Sequence, residues 1–157
     1  MALDYDGRTS TEVGTSIALC IPTSRRPAEL DVVLTSIAAL DLGDRIEIRN
    51  QDVTTLAERD RYDCGWLPAP FLPEAVLVGA IPRVIDAVKP GGLVAIGVQK
   101  TPEDPLAAAT QRLRNISDTG ATQTVDSIRA MCHDAGLEAS VLNPDATIPI
   151  AFVGGRV

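Results

Sequence analysis

Two short segments follow predicted strands, at positions where an α/β sheet usually binds ligands. Asp52 and Val53 come after the alternating run RIEIRN at 45–50, and the segment WLPAPF from Trp66 to Phe71 ends the next apolar run. In open α/β sheets, ligands bind beyond the carboxyl ends of the strands, because loops and helix N-termini converge there. We therefore expect Asp52 and the WLPAPF segment to border a ligand site.

Both segments also have a purely structural interpretation. An aspartate at a strand end is commonly a turn or capping residue. Trp66 and Phe71 could fill the core instead of walling a pocket, because aromatic side chains dominate core burial. The sequence leaves both interpretations open.

The histidine and the cysteines do not form a catalytic or metal-binding motif in the sequence. His133 follows Cys132 in the helical segment MCHDAG, which turns it towards solvent and favours a surface histidine over a general base. The remaining cysteines, Cys20 and Cys64, lie far from Cys132 and from each other, so no zinc site with usual spacing can be written. We expect free thiols and no metal site.

Strands and helices alternate along the chain, which predicts an α/β fold with parallel neighbouring strands. A helix joining two buried strands, as between 63 and 98, is a βαβ unit. The predicted strands cover 45–50, 63–67, 93–98, 137–142 and 149–153, and the predicted helices cover 27–40, 73–88, a segment from Pro105 and 125–135.

Three details of these elements are specific expectations. The run SIALCI at 16–21 is too short to distinguish a strand from the last turn of a helix. Pro82 should kink or restart the helix at 73–88, because proline removes a backbone donor. In the helix from Pro105, the spacing of Leu106, Ala109 and Leu113 predicts an inner, buried face.

The stretch from Tyr62 to Gly97 resembles class I S-adenosylmethionine-dependent methyltransferases. In that family an acidic "YD" strand is followed by a cofactor-side loop, a helix and a "kPGG" turn into the next strand. The residues that carry the likeness are Tyr62, Asp63, Trp66, Leu67, Pro68, Lys89, Pro90, Gly91 and Gly92. The resemblance implies a Rossmann-like methyltransferase sheet in a three-layer αβα arrangement, ending in an antiparallel pair of strands.

The resemblance also implies a cofactor, S-adenosylmethionine, and roles for the two segments. Asp52 would accept a hydrogen bond from the adenine amino group, and the backbone at Val53 would meet a ring nitrogen. Leu67 and Pro68 would lie against the methionine portion of the cofactor. Trp66 and Phe71 would border the substrate pocket. Gly91 and Gly92 would turn the chain from helix into strand.

The front half of the family pattern is missing. No glycine-rich GxGxG turn can be written before Arg45, where the glycines are Gly7, Gly14 and Gly43. The chain therefore resembles a truncated or degenerate member whose sheet is incomplete in its N-terminal half. Unpaired strand edges must be covered. SIALCI could pair with them as a substitute central strand, or a second copy of the chain could cover them. We therefore expect a homo-oligomer, most simply a dimer.

Composition sets the remaining expectations. The 157 residues predict one domain at 16–157 after a flexible tail at 1–15. A net charge of −7 would repel nucleic-acid phosphates. With neither a signal peptide nor a long apolar run, we expect no membrane partner and a cytoplasmic protein.

Three functions fit these observations. The first is methyl transfer to a small-molecule substrate, and the second is a non-catalytic methyltransferase-like domain that serves as an oligomeric or regulatory module, or a truncated gene product. A third, another nucleotide-binding α/β protein, is less favoured because no phosphate loop is visible.

Overall fold

The computed structural model describes residues 17–19, 35, 51–118, 123–142 and 148–157. Within these ranges the predicted strand–helix–strand unit is present between 62 and 99. The elements are β1 (Ile17–Leu19), β2 (Tyr62–Pro68), α1 (Glu74–Ala87), β3 (Val88–Gln99), α2 (Pro105–Asp118), α3 (Val125–Asp134), β4 (Ser140–Val141) and β5 (Ile150–Arg156), with short 3-10 helices at Val53–Thr55 and Ala69–Phe71.

The five strands form one mixed sheet in the order β1-β2-β3-β5-β4. Strands β1, β2 and β3 run parallel, whereas β5 is antiparallel to both β3 and β4. The open choice at SIALCI is thereby settled, because Ile17–Leu19 is a strand that pairs with β2. The final antiparallel pair is also confirmed, although β4 is shorter than the predicted strand at 137–142.

Several sequence predictions lie outside the described residues. These are the tail at 1–15, most of the helix at 27–40 and the strand at 45–50. Nothing in the described ranges tests these three predictions.

The core lies on one face of the sheet, beneath α1 and α3. Side chains alternate between the two faces of a strand, and the register sets Leu67, Ile96 and Val153 in one row across β2, β3 and β5. All three are fully buried. The helices add Leu77, Ile81, Val84, Ile128 and Cys132 to the same cluster.

Helix α1 continues through Pro82 as a single element from Glu74 to Ala87. The predicted restart at Pro82 is therefore wrong. The proline is exposed, so its ring points away from the sheet while Ile81 and Val84 on the opposite side are buried. Packing of the apolar face keeps the helix in one piece despite the missing donor.

Helix α2 is oriented differently from the sequence prediction. Leu106 and Leu113, expected on its inner face, are 76% and 67% exposed, and Ala109 is exposed as well. The less exposed side of α2 carries polar residues, and Gln111 donates from Nε2 to the carbonyl oxygen of Lys100 at 3.2 Å. The apolar spacing shows that the helix is amphipathic, but spacing alone does not determine which side is buried.

The KPGG turn is built into the beginning of β3, which starts at Val88 instead of the predicted residue 93. Gly91 has a φ of 83°, a left-handed conformation that favours glycine. Its N–H donates to the carbonyl oxygen of Val157 at 2.7 Å, and its own oxygen accepts from Nη1 of Arg156 at 2.6 Å. The predicted role of Gly91 and Gly92 in turning the chain from helix into strand is therefore wrong, because α1 ends at Ala87 and β3 begins at Val88. Gly91 instead lies in an irregular stretch of β3 where the register against β2 shifts, and the end of β5 holds this stretch in place.

Candidate functional site

The carboxyl ends of the parallel strands converge at one edge of the sheet. β1 pairs with β2 up to Leu19 and Trp66, and β2 pairs with β3 up to Pro68 and Gly97. The 3-10 helix Ala69–Phe71 follows β2 directly at this edge. This arrangement is the geometry in which α/β proteins bind small ligands.

Asp52 is the N-cap of the 3-10 helix Val53–Thr55. Its Oδ1 accepts hydrogen bonds from the backbone N of Thr54 at 2.9 Å and from the Thr54 hydroxyl at 2.8 Å. These bonds, led by the one from the backbone N–H, lower the pKa of the Asp52 carboxyl below its ordinary value. The side chain is exposed and ionised at neutral pH. The capping interpretation left open by the sequence is therefore correct, and a contact of Asp52 with a cofactor stays a prediction.

The capped turn is fixed against the helix that follows β2. A Cβ added at Gly79 would lie 3.2 Å from Cγ2 of Thr54, so Thr54 packs closely on α1. Val53 is half-buried and packs against the core cluster. Gly79 belongs to the first half of α1, the half nearest the carboxyl end of β2, so the turn carries Asp52 towards the candidate edge.

Leu67 and Pro68, the predicted cofactor contacts, are both buried. Leu67 is 0% exposed and belongs to the core beneath the helices. Its side chain is therefore structural, and only its backbone could contact a ligand at the edge. A role of either residue in cofactor binding stays a prediction.

Trp66 lies on the opposite face of the sheet from Leu67. Its ring meets that of Phe152 at a centroid distance of 5.3 Å and an angle of 58°. Between the two strands lies Gly97, where an added Cβ would be 2.6 Å from Cη2 of Trp66. Gly97 thus makes room for an aromatic pair that crosses β3.

Phe71 differs from Trp66 in its surroundings. It ends the 3-10 helix after β2 and is 56% exposed. The alternative that Phe71 fills the core is therefore wrong. An exposed aromatic side chain at the carboxyl edge fits a pocket wall or a contact surface, and the substrate-pocket role stays a prediction.

The motif that carries the family resemblance lies mostly at the other edge. Asp63 accepts from Nζ of Lys89 at 2.9 Å, linking the start of β2 to the KPGG turn. Gly92 packs so closely there that an added Cβ would be 2.8 Å from the carbonyl oxygen of Asp63. These residues shape the sheet and do not contribute to the candidate site.

His133 and the cysteines are not part of the site. His133 is exposed in the last turn of α3, as predicted, and Cys132 beside it is buried, which raises the pKa of its thiol to about 11. Cys64 is half-buried and is a free thiol like Cys132, whereas Cys20 lies outside the described residues. In the described ranges no group of three or more potential ligands could hold a metal ion.

Sequence reasoning missed three residues that shape this region. Gly97 and Phe152 meet Trp66 through contacts across strands, which no local pattern reveals. Thr54 had a recognisable signal, because an aspartate followed two residues later by threonine is typical of a side-chain-capped turn.

None of the helices within the described ranges is long and apolar enough to cross a membrane.

Comparison with known proteins gives matches in structure only. No family model matches the sequence, and no curated protein matches it. Among solved structures, an O-methyltransferase family protein from Burkholderia thailandensis is 22% identical, with a TM-score of 0.64 over 81% of this chain and 40% of its own length.

Two further solved structures are similar. Human N-acetylserotonin methyltransferase in complex with S-adenosylmethionine has a TM-score of 0.62 at 15% identity, over 80% of this chain and 38% of that protein. A protein from Bordetella parapertussis, described as a possible exported protein, has a TM-score of 0.60 at 23% identity, over 83% of this chain and 50% of its own.

The chain thus spans about half or less of the length of these proteins. Its strand order, the parallel β1–β3 and the antiparallel β5 and β4 agree with the Rossmann-like sheet that the sequence predicts. The chain has the class I methyltransferase fold, in a form that corresponds to part of the complete enzymes.

Proposed function

We propose that the chain binds S-adenosylmethionine at the carboxyl edge of β1 and β2 and acts in methyl transfer to a small molecule. The observation that carries this proposal is the ionised carboxylate of Asp52, in a capped turn that packs on the first half of α1. Both bonds from Thr54 end on Oδ1. Oδ2 is therefore the oxygen available to the amino group of an adenine ring.

The remaining predicted residues have more limited parts in this proposal. Val53 and Leu67 have half-buried and buried side chains, so they would use backbone groups. Phe71, exposed beside the edge, would cover the acceptor. S-adenosylmethionine, when bound, supplies an activated methyl group, and the contribution of the protein is mainly to position the two reactants.

The test is calorimetry and thermal unfolding with S-adenosylmethionine and S-adenosylhomocysteine. At ligand concentrations about 100 times Kd, binding only to the folded state adds about 2.7 kcal/mol to its stability. A stable folded chain whose melting temperature does not move with either ligand would contradict the proposal.

Asp52→Asn is the sharpest variant for this test. Asparagine keeps an amide oxygen to accept from Thr54, but it puts an N–H₂ donor where Oδ2 would accept from adenine. We expect about 10- to 150-fold weaker binding, since bonds to charged groups contribute about 1.5–3 kcal/mol. Asp63→Asn is the matched control, because Asp63 pairs with Lys89 at the opposite edge, and its binding constant should be unchanged.

The second candidate function is a non-catalytic methyltransferase-like module. It is favoured by the missing glycine-rich turn. Ligand binding without methyl transfer to any of a panel of small phenols, amines and thiols would support this alternative. Location in the cytoplasm stays a prediction.

We also propose that the chain forms a homodimer. Helix α2 exposes a stripe of apolar side chains, with Leu106, Leu113 and Ile116 at 76%, 67% and 50% exposure. Contiguous apolar patches on a protein surface commonly mark interaction sites. A second copy packed against this stripe would bury the apolar side chains that α2 exposes.

A further inference from the structure

A cleft opens beyond the carboxyl end of β3, between the last residue of that strand, helix α2 and the start of α3. Its volume is about 450 Å³. None of the residues predicted to contact cofactor or substrate lines it. The cleft is therefore a separate feature of the same sheet edge.

Carboxamide side chains from three elements meet in this cleft. Gln99 comes from the end of β3, Gln111 and Asn115 lie one turn apart on α2, and Gln123 precedes the N-cap of α3. The bond from Gln111 to the Lys100 carbonyl ties α2 to the chain after β3. Gln111 is thus held in place.

Two of these carboxamides have unused acceptor capacity. Oε1 of Gln99 and Oε1 of Gln123 are buried, and within the part of the chain that the structure describes neither accepts a hydrogen bond. A buried acceptor without a donor is unfavourable. Because the terminal torsion of glutamine is broad, a small rotation can turn either oxygen towards a donor in the cleft.

The charge of the lining favours an uncharged ligand. Arg112 is the charged side chain among the lining residues, and it is exposed to solvent, where its attraction for an anion is screened. The other side chains are carboxamides, the hydroxyls of Thr101 and Thr124, and alanine methyl groups. Each carboxamide presents an acceptor and donors side by side, which an amide group of a ligand matches.

We propose that this cleft binds a small uncharged molecule through an amide group, whose N–H donors bond to Gln99 and Gln123. The site lies outside the proposed methyl-transfer site and does not rest on it. A carboxylate of the same shape lacks the N–H donors and would leave both oxygens without partners.

Benzamide and benzoate form the matched pair of probes that tests this proposal, because they share one shape and differ in donors and charge. We would titrate each into the full 157-residue chain and follow the side-chain amide resonances of Gln99 and Gln123 by NMR. Fragments of this size bind weakly, so the titration should extend to about 20 mM. We expect saturable shifts with benzamide and none with benzoate.

Variants then identify the groups responsible. Gln99→Leu and Gln123→Leu should each weaken benzamide binding about 5- to 10-fold, as expected for loss of one hydrogen bond. The remaining glutamine of the pair reports binding in each variant. Gln51→Leu is the control, since Gln51 is an exposed carboxamide that donates to Thr55 outside the cleft, and it should leave binding unchanged.

Two results would overturn the proposal. One is the absence of saturable shifts with benzamide. The other is benzoate binding as tightly as benzamide and being lost in Arg112→Gln, which would assign the cleft to an anion. Because Gln99 and Gln123 belong to different elements, poor folding of one variant leaves the other as the test.

Discussion

At the scale of single residues, Asp52 has a structural role that is compatible with the proposed functional one. Its Oδ1 holds the turn through Thr54, and the proposal assigns its Oδ2 to the ligand. The sequence weighed these roles as alternatives because a capping aspartate and a ligand-binding aspartate look identical in a sequence. The structure describes the cap, and the ligand contact is a matter for binding measurements.

The lowered pKa of Asp52 gives a stability prediction with a definite sign. A carboxyl whose pKa is lower in the folded state stabilises the protein above its unfolded pKa, and this contribution is lost as the pH falls through the folded pKa. The ordinary value is 3.8 and the folded value is below it. Wild type should therefore be more stable than Asp52→Asn at neutral pH, and the difference should shrink below about pH 4.

Urea unfolding of both proteins between about pH 3 and pH 7 measures this difference. The other carboxylates titrate equally in the two proteins, so the comparison isolates Asp52. A stability difference that stays constant over the whole range would show that the charge of Asp52 does not contribute.

Gly97 gives a second prediction for a single residue. Alanine at this position would bring its Cβ within 2.6 Å of the Trp66 ring, which must then move. Overpacking of this kind costs about 1–3 kcal/mol. We expect Gly97→Ala to lower stability by about that amount and to shift the emission of Trp66, the single tryptophan of the chain.

Gly154→Ala is the contrasting variant. Its added Cβ would collide with the backbone oxygen of Val94, which cannot rotate away as a ring can. We expect a larger loss of stability than in Gly97→Ala. If the two variants unfold at the same urea concentration, the cost of an added Cβ does not depend on whether its neighbour is a side-chain ring or a backbone atom.

At the scale of elements, periodicity and turn residues predicted most of the fold. The strands β2 and β3 and the helices α1 and α3 follow from apolar spacing and from glycine or proline at the boundaries, whereas the antiparallel end of the sheet was implied by the family resemblance. What the sequence could not decide was pairing and orientation. β1 has only three residues, and the less exposed side of α2 is polar, with Gln111 bonded to Lys100.

The strongest sequence signal proved to be structural. The ion pair of Asp63 and Lys89, together with the glycines of KPGG, fixes the amino end of β2 and β3. The candidate site lies at the carboxyl end, where the sequence is less distinctive. This separation explains why the motif identifies the fold well but the site poorly.

Helix α1 supplies the prediction for this scale. Pro82 occupies the ninth position of a 14-residue helix, where it removes one backbone hydrogen bond. Because the side chain is exposed, alanine would restore the donor without disturbing the core. We expect Pro82→Ala to raise the free energy of unfolding by about 1–3 kcal/mol.

Chemical denaturation measures this gain. Pro73→Ala serves as the control, because Pro73 is the N-cap of α1, where no intrahelical donor is missing. A control variant that gains as much as Pro82→Ala would assign the effect to the unfolded chain instead of to the helix.

At the scale of the whole molecule, the described residues carry five strands of a methyltransferase-like sheet and an exposed apolar stripe on α2. The homodimer that we propose would cover this stripe. The net charge of −7 opposes that association through repulsion between copies. Salt screens such repulsion, with a Debye length of about 10 Å at 0.1 M.

The prediction is a dimer that strengthens with ionic strength, because the apolar contact persists while the repulsion is screened. Sedimentation velocity at about 0.02 M and 0.3 M salt should show a larger dimer fraction at the higher concentration. Leu113→Glu, in the centre of the stripe, should shift the chain to monomer. Val78→Glu, at a residue that is 58% exposed on α1, should leave the dimer intact, and loss of the dimer in both variants would place the interface elsewhere.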